Sequence, residues 1–326
     1  MTVIAALLII LAATWSALAL WYQAPGGRTG RASASAAWLL FTAVCLTGLW
    51  RSWSAGALLV FALTDAALLL WWARLVPSNE RDWADDVARI VQGTVVGDRV
   101  TLENVRNFDW RSATDYAPRW ETRVYDLGKL NTLDLIVSYW SGRTIAHILF
   151  SFGFDDGTHV VFSVEIRREK TEAFSEIGGF FKEFELCIIA ADERDIVFLR
   201  TNVRREDTYL FRLNLPTEAM RSLLLAYVAE GNALARAPRF YHTISENCTT
   251  LVWRMLKRIV RPLPFSYRVL LSGYLPEYVY QVGGLDRRYP LEELRALGYV
   301  SDRARGSGSG SSPDFSRDIR AGVPSL

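Results

Sequence analysis

The run Thr144-Ile145-Ala146-His147-Ile148-Leu149-Phe150-Ser151-Phe152-Gly153-Phe154-Asp155-Asp156-Gly157-Thr158-His159-Val160-Val161-Phe162-Ser163-Val164-Glu165-Ile166-Arg167 decides the fold. Apolar and β-branched residues flank Asp155-Asp156-Gly157, a strong turn signal. The reading is therefore a hairpin of two strands, Ile145 to Phe154 and His159 to Arg167. With a three-residue loop, the register sets His147 directly opposite Glu165, on one face of the sheet. A slip of one residue would move Glu165 to the other face. A carboxylate in that place can hold the imidazole in one tautomer and stabilise its charged form. His159, near the turn, is the alternative orienting group.

The flanking chain extends this sheet. Val100 to Trp110, Arg123 to Leu127 and Leu133 to Trp140 read as strands, and residues 195–201 and 207–213 as a further pair. Residues 82–93 and Thr217 to Ala235 read as helices. Together these segments make residues 77–302 one α+β domain.

A second stretch supplies a nucleophile, Phe240-Tyr241-His242-Thr243-Ile244-Ser245-Glu246-Asn247-Cys248-Thr249-Thr250. After it, Leu251, Val252, Met255, Leu256 and Ile259 recur at helical spacing up to Pro262. Asn247 is a good N-cap, which puts Cys248 on the first helical residue. A thiol there feels the positive end of the helix dipole, which lowers its pKa. Free N–H groups of that first turn, with Asn247 and Thr249 in support, can hold an oxyanion. Thiol, imidazole and carboxylate from a helix start and two adjacent strands are what a papain-like site requires. The chain order His147, Glu165, Cys248 makes the expected fold a permuted papain-like (NlpC-type) thiol domain. Taken singly, each residue has a plainer reading. A lone Cys is often a small buried hydrophobe, a strand His a satisfied core residue, and Glu165 an ion partner of Arg167 or Arg168.

The chain has 326 residues and a formal charge of +2, so nothing in its overall charge calls for nucleic acid. Its apolar excess gathers at the N-terminus. Residues 3–22 are uncharged and long enough to span a bilayer, without the basic start of a signal peptide. Residues 37–50 and 55–73 are two more apolar segments, joined by Arg51-Ser52-Trp53-Ser54, with Trp21, Tyr22, Trp50, Trp71 and Trp72 at segment ends. Residues 1–76 are thus expected to be a transmembrane anchor of three helices. Arg28 and Arg31 in the first loop lean toward a cytoplasmic C-terminal part. Asp65, mid-span, is a functional candidate, or a hydrogen-bond partner of Thr42, Thr47 or Thr64. Residues 303–326 open on a Gly/Ser-rich run, Gly306 to Ser312, and read as a disordered tail. The three cysteines, Cys45, Cys187 and Cys248, are no disulfide framework, and no metal-binding or phosphate-loop motif occurs. No metal or organic cofactor is implied.

Several motifs in order carry a resemblance: Val105-Arg106-Asn107-Phe108-Asp109-Trp110-Arg111, Asp134 to Trp140, Ala146-His147 to Phe152-Gly153-Phe154, Ser163-Val164-Glu165-Ile166-Arg167, Ala191-Asp192-Glu193-Arg194-Asp195 and Asn247-Cys248-Thr249-Thr250. Over roughly residues 90–260 the chain resembles the Lnb-type periplasmic domain family, whose namesakes are bacterial lipoprotein N-acylation transacylases. The resemblance implies a domain facing out of the cytoplasm from the inner membrane, large domains being translocated despite a small arginine bias. It also implies transfer of a fatty acyl chain from a diacylglyceryl lipoprotein to the amine of its N-terminal cysteine, through a Cys248 thioester. His147 would take the thiol proton, with Glu165 behind it. Membrane phospholipid and lipoprotein substrates would be the partners. Trp110, Trp120, Trp140, Phe180 and Phe181 could line an acyl groove, and Arg194, Arg200, Arg204 and Arg205 could meet a headgroup or sit at a solvated strand end. A cysteine peptidase or amidase acting on cell-envelope peptides would use the same three residues. A non-enzymatic membrane protein would use Cys248 structurally.

Overall fold

A computed structural model describes residues 2–51, 54–260, 262–308 and 312–325. The chain divides into two units, one of residues 1–78 and 173–185, the other of residues 79–172 and 186–326.

The first unit contains α1 (Thr2–Gln23), α2 (Gly27–Leu49) and α3 (Ser54–Ala73). Each is long and apolar enough to cross a membrane. Ser52 and Trp53, in the expected link between α2 and α3, lie outside the described residues. Trp38 packs on Phe41 and Phe61, and its indole N–H donates to the Ala13 carbonyl at 3.1 Å. Asp65 accepts from the Ser16 hydroxyl at 2.7 Å. The three threonines expected as its partners donate back to carbonyls of their own helices. Asp65 thus ties α3 to α1, as polar residues between membrane helices do. The anchor is also larger than its expected boundary. Residues 173–185 belong to it, with Phe181 stacked on Tyr22 and the Gln23 amide donating to the carbonyls of Phe181 and Lys182.

The second unit is α+β, built on a mixed sheet. Its strands are β1 (Gln92–Val96), β2 (Arg99–Arg106), β3 (Asp109–Trp110), β4 (Tyr116–Ala117), β5 (Trp120–Asp126), β6 (Leu130–Tyr139), β7 (His147–Phe154), β8 (His159–Arg167), β9 (Glu185–Ala191) and β10 (Asp207–Arg212). Among them the main sheet runs β1-β2-β9-β8-β7-β6-β10, with β5 also on β2 and β3 paired only with β4. β2 and β9 are parallel, while β6, β7 and β8 are antiparallel neighbours. Leu149 pairs with Ser163 and Gly153 with His159, the register that a three-residue turn sets. The central strands are buried on both faces, which explains their nearly continuous apolar runs.

The helices are α4 (Glu193–Phe198), α5 (Thr217–Arg236), α6 (Thr250–Ile259), α7 (Leu275–Gln281), α8 (Leu291–Gly298), α9 (Ser301–Gly306) and α10 (Phe315–Asp318). α5 lies on the sheet, and its Tyr227 stacks on Phe162 at 4.9 Å, fully buried.

Three expectations are corrected here. Residues 82–93 hold only a single 3-10 turn, Asp85–Val87, before β1 begins. Residues 195–201 are helical rather than a strand, because Asp192 caps α4 through its carboxylate and Glu193 and Asp195 fill the first turn. The helix then widens into a π-turn, Leu199–Val203. The third concerns the tail. Residues 309–311 lie outside the described residues, but 312–325 are ordered, with Phe315 and Ile319 buried one turn apart. Arg320 is paired with both Asp134 and Glu193. Phe315→Ala is expected to lower the unfolding free energy by about 3–5 kcal/mol, read by denaturant titration of the solubilised chain.

One buried ion pair organises the start of the second unit. Arg106 forks onto Asp195 at 2.8 and 3.0 Å, and Asp195 also accepts from the Phe108 N–H and the Trp110 indole. Both charges are almost fully buried. Asp195→Ala leaves Arg106 without its carboxylate, and a loss of about 3–5 kcal/mol is expected, seen as an early thermal unfolding transition.

Candidate active site

Cys248 stands where the sheet-crossing chain turns into α6. Asn247 makes that turn. Its Oδ1 accepts from the N–H groups of Thr249 and Thr250 at 2.9 and 2.8 Å, while its amide donates to the Thr243 carbonyl at 2.6 Å. The regular helix starts at Thr250, two residues later than expected. The capping expected of Asn247 is nonetheless made, since its carbonyl accepts the first bond, from Leu251. This corrects the expected oxyanion site. Asn247 takes two of the first-turn amides, but the N–H of Cys248 itself is not among them. Thr249 donates its hydroxyl to the Val269 carbonyl at 2.5 Å, so it holds the helix start in place and does not face a substrate.

His147 opens β7 with its Nε2 2.9 Å from Glu165 Oε1 and 2.7 Å from the Ser163 hydroxyl. Ser163 donates its hydroxyl hydrogen bond to Glu165 Oε1 at 2.7 Å. This pattern puts the neutral imidazole's proton on Nε2 and leaves Nδ1 for another partner. The half-buried Cys248 thiol acts on the same ring and favours its charged form. The fold therefore brings Glu165 to His147, with Cys248 acting on the same imidazole. It does not bring His159, which begins β8 six residues before Glu165, about 20 Å away along the strand, and binds the Gly157 carbonyl. His242 belongs to the turn before Asn247, where its Nδ1 accepts from Ser245 and Ile244.

Electrostatics favours the charged form of this pair. Burial alone would raise the Glu165 pKa, but the facing imidazole, Arg200 and the Ser163 hydroxyl outweigh it and hold the carboxyl well below its ordinary range. Burial and Arg200 push His147 down, yet Glu165 and the hydrogen bonds to Cys248 and Glu165 carry it above its ordinary value.

Arg200 is one of the four arginines expected at a headgroup or a solvated strand end. It is buried on the π-turn, 3.4 Å from Glu165 Oε1 and 3.2 Å from Glu206 Oε2, with Ser138 donating to Glu206 at 2.6 Å. The signal that could have found it was the Asp192 cap, which announces a helix through the apolar run that follows. Arg200→Gln removes a cation facing both members of the pair. The His147 titration midpoint is then expected to move to higher pH, resolved by NMR because the chain has only three histidines.

Beside the thiol lies a cavity of ≈ 200 Å³, bordered by Phe150, Cys248, Val252, Leu256 and residues of α7. The aromatics expected to line a groove are elsewhere. Trp110 and Trp120 pack around Phe108, Phe181 packs in the anchor unit, and Trp140 and Phe180 are exposed. Among the described residues no group of His, Cys, Asp or Glu could hold a metal ion.

Residues 116–273 match the family model described as the Lnb N-terminal periplasmic domain, a span that contains His147, Glu165, Arg200 and Cys248. No curated protein matches the chain, and no solved structure does.

Proposed function

We propose, from the premise that residues 116–273 are an Lnb N-terminal periplasmic domain behind three membrane-capable helices, that this protein is a thiol acyltransferase of the bacterial envelope. The observation that carries the reading is the His147–Glu165 pair at 2.9 Å, on whose imidazole the half-buried Cys248 thiol also acts. The resemblance supplies the substrate, a diacylglyceryl lipoprotein, and the place, the outer face of the cytoplasmic membrane.

In the first half-reaction His147 Nδ1 takes the thiol proton and Cys248 Sγ attacks the carbonyl carbon of a glyceryl ester. An S–C bond forms, the C–O bond to glycerol breaks, and the proton on His147 passes to the departing alkoxide. The Cys248 N–H would serve as a backbone donor to the oxyanion. In the second, the lipoprotein α-amine attacks the thioester, an N–C bond forms, the C–S bond breaks, and His147 returns the amine's proton to the sulfur. The sum is ester plus amine to amide plus alcohol, with no redox partner. Glu165 keeps the imidazole in the required tautomer and stabilises its charged form throughout, and Arg200 keeps Glu165 ionised.

The test is expression in a host lacking lipoprotein N-acyltransferase, with lipoprotein N-terminal peptides read by mass spectrometry. N-acylated, lyso-form peptides are expected. Unchanged lipoproteins with altered muropeptides would instead point to a peptidase or amidase, and no change in either to a non-enzymatic membrane protein.

A further inference from the structure

Cys248, Val252, Leu256 and Val260 recur every four residues, with Val252 and Leu256 on one side of α6 and the other two just beyond its ends. At 1.5 Å per residue, α6 itself is about 14 Å long. All four border the cavity, which Phe150 and Tyr278 help to close. Among the described residues no charged side chain lines it. Two of its polar tips engage one another. The Trp253 indole donates to the Tyr278 hydroxyl at 3.3 Å, and that hydroxyl donates to the Pro264 carbonyl at 2.6 Å. A peptide entering here would lose water from its backbone N–H and C=O groups and find few replacements among the mostly apolar walls. A hydrocarbon chain requires none. The length also fits, since one fatty chain fills about half of a ~30 Å hydrocarbon core.

We propose that this cavity is the acyl-chain site, and that the chain carried on Cys248 lies along α6 with its methyl end toward Val260. The inference rests on the acyl-transfer reading above and adds where the chain goes and what limits its length. Leu256 lies in the second half of α6 and Val260 just past its end, so the two act as successive marks on a ruler. A chain seated there also keeps water from the thioester, which favours transfer to the amine over hydrolysis.

The test uses the full chain in phospholipid nanodiscs with p-nitrophenyl acetate, octanoate and palmitate, following nitrophenol release and the acyl mass on the Cys248 peptide. Wild type is expected to prefer palmitate. Leu256→Trp should lower the palmitate-to-acetate ratio by about tenfold or more, while Val260→Trp lowers palmitate and spares octanoate. Leu256→Ala, which enlarges the cavity, should move the preference toward longer chains, a shift that misfolding would not produce. An unchanged chain-length profile in all three variants, with Cys248 still acylated, would overturn the proposal. So would a wild-type preference for an N-acetyl-leucyl ester that the Trp variants abolish, which would assign the cavity to a peptide side chain. No acylation of Cys248 by any ester, acetate included, would mark failure of the acyl-transfer reading itself.

Discussion

Cys248→Ala is expected to abolish N-acylation of lipoproteins, lowering turnover by about 10⁴-fold or more. The size follows from the role. A nucleophile that forms the covalent intermediate has no substitute in the site, and the remaining groups can only bind and polarise the ester. Cys248→Ser is a sharper version, because the hydroxyl keeps the size but not the acidity of the thiol. Its loss should be nearly as large, without loss of fold, since Cys248 is only half-buried and the helix start is held by Asn247. Peptide mass spectrometry of lipoproteins from the acyltransferase-deficient host measures both. A Cys248→Ala variant with wild-type N-acylation would remove the thiol from the mechanism.

Glu165→Gln should give the second largest effect. The amide can no longer fix the Nε2–H tautomer or stabilise the imidazolium, and a fall in kcat of about 10³-fold is expected. The variant also has a pH signature. Glu165 has a depressed pKa in the fold, so its contribution to stability is present above about pH 4.3, the unfolded value, and is lost as pH falls through the folded pKa. His147 has a raised pKa, so its contribution is present below about pH 6.5 and is lost as pH rises through the folded value. The pair therefore stabilises the fold most between about pH 4.3 and 6.5. Glu165→Gln should flatten both sides of that window in thermal melts of the solubilised chain. A melting profile with the wild-type pH dependence would show that the pair is not coupled as described.

The hairpin that joins this pair was legible in the chain because two independent signals agreed. Apolar and β-branched runs placed the strands and Asp155-Asp156-Gly157 set the register, which fixes the face on which each residue stands. Asn247 was legible as a cap because a short polar side chain before an apolar helical stripe has few other uses. Arg200 was not. Ile196-Val197-Phe198-Leu199 is a short apolar run that periodicity cannot assign to strand or helix, and a π-turn leaves no mark in a single sequence. The order of the tail was hidden for a different reason. The Gly/Ser run describes a flexible connection correctly enough, but it says nothing of Phe315 and Ile319 beyond it, which find their place only against a finished core. The cavity was equally out of reach, since its walls come from β7, α6, α7 and the stretch after β10, segments far apart in the chain.

Membrane attachment and acyl chemistry fit one another physically. On the proposed reading, a substrate whose acyl chains sit in the bilayer would reach its catalyst without crossing water as a free molecule, and the Asp65–Ser16 bond joins α3 to α1 within the membrane-capable helices.

The most direct test of the whole account is to trap the intermediate. The full chain in nanodiscs is mixed with a diacylglyceryl lipopeptide whose α-amine is blocked, quenched in acid and digested. The account predicts a fatty acyl mass on the peptide containing Cys248, removed by neutral hydroxylamine, together with one equivalent of lyso-lipopeptide. Lyso-lipopeptide formed without acyl mass on Cys248, or an acyl group carried by any other residue, would contradict it.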